Sequence, residues 1–329
     1  MARLRDIIRR RAPLTIFVLS GGGNLGALQV GMLKALVESG IKPDVVLGCS
    51  VGALNGAAIA ADPSTAMVER LQDLWLGLAD DDVMPAGLFP VTVQMARRGV
   101  SIHENTNLRR VVEEVLTARR FEDLAVDFQC VAASLVEGRE TWFSAGPLID
   151  PILASAALPA VYPPVEIGGV KYLDGAVVND VPVSRAVEMG ATRIFVLHVG
   201  AWDRPRAEPK RPFDMAVYAY WLARRSRFQR DLASIPTDIE VVVLPPGATP
   251  LIRFNDLGHS DEMITAAYEA SRAFLAGRDG PSRDDLKAAV PTVRPEERPA
   301  PAPVGAPPGA TEPASVVTEL PGPPPRPPF

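Results

Sequence analysis

Residues 14–61 read LTIFVLSGGGNLGALQVGMLKALVESGIKPDVVLGCSVGALNGAAIAA, and this stretch decides the fold. Leu14 to Leu19 is a short apolar run without polar alternation, as expected of a buried strand. Gly21-Gly22-Gly23 breaks it. From about Leu25 to Ser39 the composition turns helical, and Gly40 stops that helix. Val45-Val46-Leu47 is a second strand, and the alanine-rich segment from Val51 to about Ala61 a second helix. Strand and helix alternating in units of ~30 residues predict right-handed βαβ crossovers and a mainly parallel sheet.

Outward from this core the same pattern continues. Helices are expected over Ser64 to Leu78 and Asn105 to Arg119, and the strands Phe128 to Ser134 and Glu140 to Phe143 are joined through Glu137-Gly138. A strand near Val170 to Leu173, a helix Val183 to Met189, and strands Arg193 to His198 and Ile239 to Leu244 follow. Helices Phe213 to Ala233 and Ser260 to Leu275 complete the set. The expected architecture is a three-layer α/β/α sandwich. Beyond Ala276 the chain becomes Pro, Ala, Gly, Glu and Arg, and 15 of the 33 prolines fall after residue 280. Such a segment cannot bury enough apolar area to offset the cost of ordering it. Three parts are therefore expected: a basic segment 1–12, a globular domain 13–278 and a disordered Pro/Ala-rich tail 279–329. Within that tail, Pro321 to Pro328 has the composition of an SH3-type ligand.

Charge and cysteine usage narrow the function. A net charge of −5 gives no general attraction for nucleic acid. The two cysteines, Cys49 and Cys130, belong to no C-x-x-C pair, which argues against a zinc module or a disulfide scaffold. Arg3, Arg5, Arg9, Arg10 and Arg11 imitate the start of a signal peptide, but the apolar run that follows ends at Gly21 and is too short for a secretory core. No stretch reaches the ~18–20 apolar residues that cross a bilayer. A cytoplasmic protein, with the inner membrane face as an alternative site, is the expectation.

Three motifs carry chemistry. Gly21-Gly22-Gly23-Asn24-Leu25-Gly26 lies between strand and helix, where backbone N–H groups and a helix N-terminus favour an anion. Read literally, Gly21, Gly23 and Gly26 fit the G-x-G-x-x-G dinucleotide fingerprint, but the nearby acid, Asp44, precedes the second strand instead of ending it. Gly48-Cys49-Ser50-Val51-Gly52 is a G-x-S-x-G pentapeptide between strand and helix, the sharp turn that lifts a serine clear of a sheet. Cys49 is expected to be a small packing residue there. Asp174-Gly175-Ala176 follows an apolar strand; alone it reads as a turn, and in company as a base.

Together these motifs resemble the patatin-like phospholipase family, whose pattern is a glycine-rich loop, a G-x-S-x-G elbow and a later D-G-[GA]. Ala154 to Pro159, Val161 to Pro164, Asp174 to Pro182 and Leu257 to Glu262 also resemble family segments, so the likeness covers roughly residues 14 to 277. Many members carry Arg or Lys where this chain has Leu25, which removes a cation beside the loop and leaves the backbone donors. The resemblance implies an acyl hydrolase with Ser50 as nucleophile and Asp174 as base. It implies an oxyanion hole from Gly21, Gly22, Gly23, Asn24 and Gly26, and an elbow built by Gly48, Cys49, Val51 and Gly52. The substrate would be a phospholipid or other acyl lipid, with no cofactor and no metal.

Two rivals remain open at this level. One is a Ser-acid-His triad of Ser50, Asp174 and His198 or His259; the other is a non-catalytic lipid-binding protein. Helix Phe213 to Ala233 interleaves Arg224, Arg225, Arg227 and Arg230 with Tyr218, Tyr220, Trp221 and Phe228, so it could lie on anionic lipid or pack one face on the domain. Leu74 to Thr106, with Pro85, Gly87 and Pro90, is a candidate lid.

Overall fold

The strand β1 (Thr15–Leu19) accounts for the layering. Its side chains alternate between two apolar clusters. Phe17 and Leu19 pack on one side of the sheet, and Ile16 and Val18 on the other. The computed structural model describes residues 13–78, 104–200, 212–248 and 256–277. The basic segment 1–12, most of the candidate lid and the tail 279–329 lie outside the described residues.

β2 (Val45–Cys49) runs parallel to β1, and β7 (Arg193–Leu197) lies parallel on β1's other edge. β8 (Glu240–Val243) extends the sheet beyond β7, and β3 (Asp127–Ser134) beyond β2, both again in parallel. These five strands are the parallel core that the βαβ pattern predicts. The remaining three are antiparallel: β4 (Glu140–Phe143) and β6 (Val170–Asp174) both pair with β3, and β5 (Val165–Ile167) pairs with β6.

Helices cover both faces. On the Phe17 side lie α1 (Gly26–Glu38), α2 (Val51–Ala61), α3 (Thr65–Gly77), α4 (Thr106–Val115), α5 (Ile149–Ser155) and the last helix, numbered α9 (Ser260–Gly277). α1 and α2 are buried almost all round, so their sequences lack the polar stripe of a surface helix. On the Ile16 side lie α7 (Val183–Glu188) and α8 (Pro212–Ser234), contributing Val183, Ala186 and Phe228. A short helix, α6 (Ala176–Asn179), follows β6. The three-layer arrangement agrees with expectation; of the antiparallel flank, β4 and β6 are strands that the sequence pattern shows and β5 is one that it does not.

α4 ends at Val115, four residues short of the expected stop. Leu116 is already extended, which turns Arg120 and Phe121 toward the loop before β3. No described helix is long and apolar enough to cross a membrane.

Candidate active site

β3 brings the site together. On one edge its Val131 faces Trp142 of β4, and on the other Cys49, the last residue of β2. The next residue, Ala132, faces Thr141 of β4 and, opposite, Asp174, the last residue of β6. A strand has only two edges. β2 and β6 therefore share one edge of β3, run toward each other in opposite directions, and meet end to end between Val131 and Ala132. Ser50 follows one strand end and Asp174 closes the other.

The result is a direct hydrogen bond: the Ser50 hydroxyl donates to Asp174 Oδ2 at 2.7 Å. The other carboxylate oxygen, Oδ1, accepts the Ala176 amide at 2.8 Å. Asp174 is 1% exposed. Burial drives its pKa up to about 6, against the opposing pull of the Ser50 and Ala176 hydrogen bonds and the Arg224 charge. A carboxylate so poised takes a proton more readily than one in water.

The elbow stands on close contacts. Ser50 has φ 53 and ψ −124, a strained conformation for a residue with a side chain, of the kind that concentrates at functional sites. A Cβ on Gly48 would overlap the Gly52 carbonyl, and one on Gly52 would strike the carbonyls of Leu19 and Ser20. Those two glycines let α2 start directly against β1. Gly175 answers to the same rule, since a Cβ there would overlap the Val131 carbonyl. Cys49 is fully buried, with its Sγ 4.0 Å from Asp174 Oδ1, and burial followed by the Asp174 charge pushes its thiol well up, so it stays protonated.

Ser155, at the end of α5, ties the two halves together. Its hydroxyl accepts the Ser50 amide at 2.9 Å, and its carbonyl accepts the Gly175 amide at 3.2 Å. Its segment is visible in the sequence only as part of the family likeness; nothing local in Ala154-Ser155-Ala156 marks the serine.

The glycine loop passes beside the elbow. Gly21 lies so near Ser50 that a Cβ on it would sit 3.2 Å from the serine Cβ, and Gly23 takes φ 60, which glycine adopts at little cost. The Asn24 side chain donates to the Asp256 carbonyl at 2.7 Å, fastening the loop to the segment before α9. Two of the five expected oxyanion positions have amides already engaged. Gly21 N–H donates to the Asp180 carbonyl at 3.2 Å, and Gly26 N–H to the Asn24 and Gly23 carbonyls.

Neither histidine stands between serine and aspartate. His198, at the end of β7, accepts the Gly200 amide at Nδ1 (3.0 Å) and stacks on Phe228. Burial, then the Arg224 charge, lowers its pKa to about 3, too weak a base to take a serine proton. The ring nitrogens of His259, at the start of α9, face Glu262 and Asp256 at 3.3 and 3.8 Å. No cluster of metal-ligating side chains occurs among the described residues.

A parallel-core α/β sheet that ends in a serine elbow, with a buried aspartate hydrogen-bonded to the serine, defines a class of serine–aspartate proteins. The profile of the patatin-like phospholipase family matches residues 17–187, more than half of the chain, and the protein belongs to that family. Lysophospholipase nte1 of Aspergillus terreus is 28% identical over 186 residues, 56% of this chain and 12% of that protein. Patatin-like phospholipase domain-containing protein ZK370.4 of Caenorhabditis elegans is 31% identical over 187 residues, 56% of this chain and 13% of its own length. The match thus spans about an eighth of the length of these relatives. Among solved structures, VipD from Legionella pneumophila aligns over 81% of this chain and 67% of its own, with a TM-score of 0.43 and 13% identity.

Proposed function

We propose that this protein is a serine acyl hydrolase that cleaves carboxylic esters of membrane lipids, in the manner of a phospholipase A or lysophospholipase. The observation that carries the proposal is the 2.7 Å hydrogen bond from Ser50 to a buried Asp174 at a strained elbow. In the ground state Asp174 is a carboxylate. As the Ser50 oxygen attacks the substrate carbonyl, its proton moves to Asp174 Oδ2 and the carbonyl oxygen becomes an oxyanion. The loop amides of Gly22 and Gly23 are the donors we assign to it, each worth roughly 3–4 kcal/mol when well aimed. Collapse expels the alcohol, which takes the proton from Asp174 and leaves Ser50 acylated. Asp174 then draws a proton from water as the hydroxide adds to the acyl carbon; on collapse the bond from the acyl carbon to the Ser50 oxygen breaks, that oxygen takes the proton back from Asp174, and the carboxylic acid departs with both groups restored.

The substrate class is an acyl lipid, supported by the family and by the printed lysophospholipase name of one relative. We assign the activity to residues 13–278. We also propose that α8 turns its outer face to anionic lipid: Arg230, Leu222 and Met215 are exposed there, and Arg225 lies against the Trp221 ring. Arg224 and Arg227 are held inward by ion pairs and take no part in that face. Incubation of a lipid extract with the wild type and with Ser50→Ala, followed by mass spectrometry, is the test. Free fatty acid with matching lyso-products from the wild type alone is the expected result; no acyl product from the wild type would refute the proposal.

A further inference from the structure

On the Ile16 side of the sheet, directly behind the serine–aspartate pair, lies a buried cluster that the proposed mechanism does not use. Arg224 of α8 forms an ion pair with Asp180, the residue after α6. Asp180 is 8% exposed, and its carbonyl accepts the Gly21 amide at the head of the glycine loop. A Cβ on Gly21 would come within 2.6 Å of Asp180 Oδ1, so the carboxylate sits against the loop backbone. Six residues upstream of Asp180, through α6, is Asp174. One guanidinium therefore grips the short segment whose two ends hold the base and the loop. Its neighbour Arg227 adds a second hold on the same segment, donating to the Val178 carbonyl at 2.7 Å and pairing with Glu140, which in turn accepts Asn179 Nδ2.

We propose that Arg224 is a positioning residue for the serine–aspartate pair: through its ion pair with Asp180 it fixes Gly21 against Ser50. Its charge also opposes the upward drive of burial on Asp174. This inference rests on the acyl-hydrolase reading and adds to it a part played by α8. The charged and titratable groups acting on Asp174 are Arg224, Asp180, Ser50 and, from their own side, Tyr220 and Cys49. Arg224 in turn feels Asp180, Tyr220 and Asp174, and acts on His198. Arg224 is the single cation of this set. A stabilising brace alone would not favour such a construction, because a buried ion pair is a poor source of stability. Moreover, Arg224 Nε and the Tyr220 hydroxyl are buried without a hydrogen-bond partner among the described residues.

The test is the pH dependence of ester hydrolysis by the full chain, comparing wild type, Ser50→Ala, Arg224→Met and Arg224→Lys. With Arg224→Met, kcat should fall about 10- to 100-fold at little change in KM, as expected for a slightly displaced pair. The acid limb of the profile should move up by roughly half to one pH unit. Arg224→Lys, which keeps the charge and loses the fork, should return the acid limb to its wild-type place. Wild-type kcat with an unmoved limb in Arg224→Met would overturn the inference, as would equal losses in both variants with unmoved limbs. If Arg224→Met does not fold, Asp180→Asn/Arg224→Gln leaves no lone buried charge; about a tenfold loss of kcat is expected there, and wild-type kcat overturns the inference. An inactive wild type would refute the hydrolase reading and this inference with it, whereas an active wild type matched by Arg224→Met refutes this inference alone.

Discussion

The two sides of the serine–aspartate contact are built by different physics. Ser50 is placed mainly locally: a strand of five residues, a glycine two positions before and after it and a helix that starts at once, all within residues 45–61 and, apart from the buried Asn55, made of small or apolar groups; from outside, the Ser155 hydroxyl reaches in to accept its amide. Asp174 is placed from afar, by antiparallel pairing with β3 some 40 residues upstream, by the Ala157 and Ser155 carbonyls that accept the Asp174 and Gly175 amides, and by the Arg224–Asp180 ion pair at the far end of α6. One side depends on steric closeness and the other on register and charge. A defect on the serine side should therefore appear first as lost stability, and a defect on the aspartate side as lost activity.

The largest expected effect tests the aspartate side. Asp174→Asn keeps the shape and removes the proposed base, and should lower kcat by about 10³-fold or more. Its stability should move the other way. Folding raises the Asp174 pKa to about 6, so the folded protein binds a proton more tightly than the unfolded chain, and the buried carboxylate costs stability as pH rises through that value. Asp174→Asn should be more stable than wild type at pH 8 by about 2–3 kcal/mol, with the advantage gone below pH 4. Urea titrations at the two pH values would show it. A variant that is less stable at pH 8 would mean that the carboxylate is a net structural asset and would break the comparison.

Next in size is the serine side. Gly52→Ala drives a methyl group into the Leu19 and Ser20 carbonyls, and should cost about 2–3 kcal/mol in denaturant unfolding. Wild-type stability there would show that the elbow is looser than its contacts imply. Smaller again is the pH effect on the intact protein: kcat/KM should be about tenfold lower at pH 5 than at pH 7, because Asp174, the proposed base, titrates near 6. A flat profile would remove Asp174 from the role of base. Smallest of all, His259→Ala and His198→Gln should each leave turnover within about twofold of wild type, since neither ring touches the pair. Loss of activity in either one, with the fold intact, would restore the triad.

This division also governs what could be read in the sequence. β1, α1, β2 and α2 are legible because apolar runs and glycine punctuation carry local information. The motif Gly48 to Gly52 is legible because the turn allows no side chain at two of its positions. The antiparallel flank is legible only in part: β4 and β6 are expected as strands, whereas β5 has three residues, α6 four and α5 seven with Pro151 inside, all shorter than a periodicity needs to show itself. The inward place of Arg224 is illegible for a related reason. On a helix with four arginines and four aromatics, nothing local distinguishes the inward face of Tyr220, Arg224 and Phe228 from the outward one, and the partner Asp180 lies 44 residues earlier. The glycine loop is legible as a loop but not amide by amide, because the engagement of the Gly21 amide depends on the distant Asp180 carbonyl.

The end-to-end meeting of β2 and β6 on one edge of β3 turns that strand into a ruler. Val131 marks where the serine arm stops and Ala132 where the aspartate arm stops, so the gap between the two reactive groups is set by a single peptide unit. The 35 residues between β3 and β6 need only return the chain to the same mark; their length does not enter the measurement. Insertions or deletions there that spare β4 and the Ser155 turn should leave the spacing intact, while a slip of β6 by one residue would carry the carboxylate about 3.3 Å along the edge and onto the other face of the sheet.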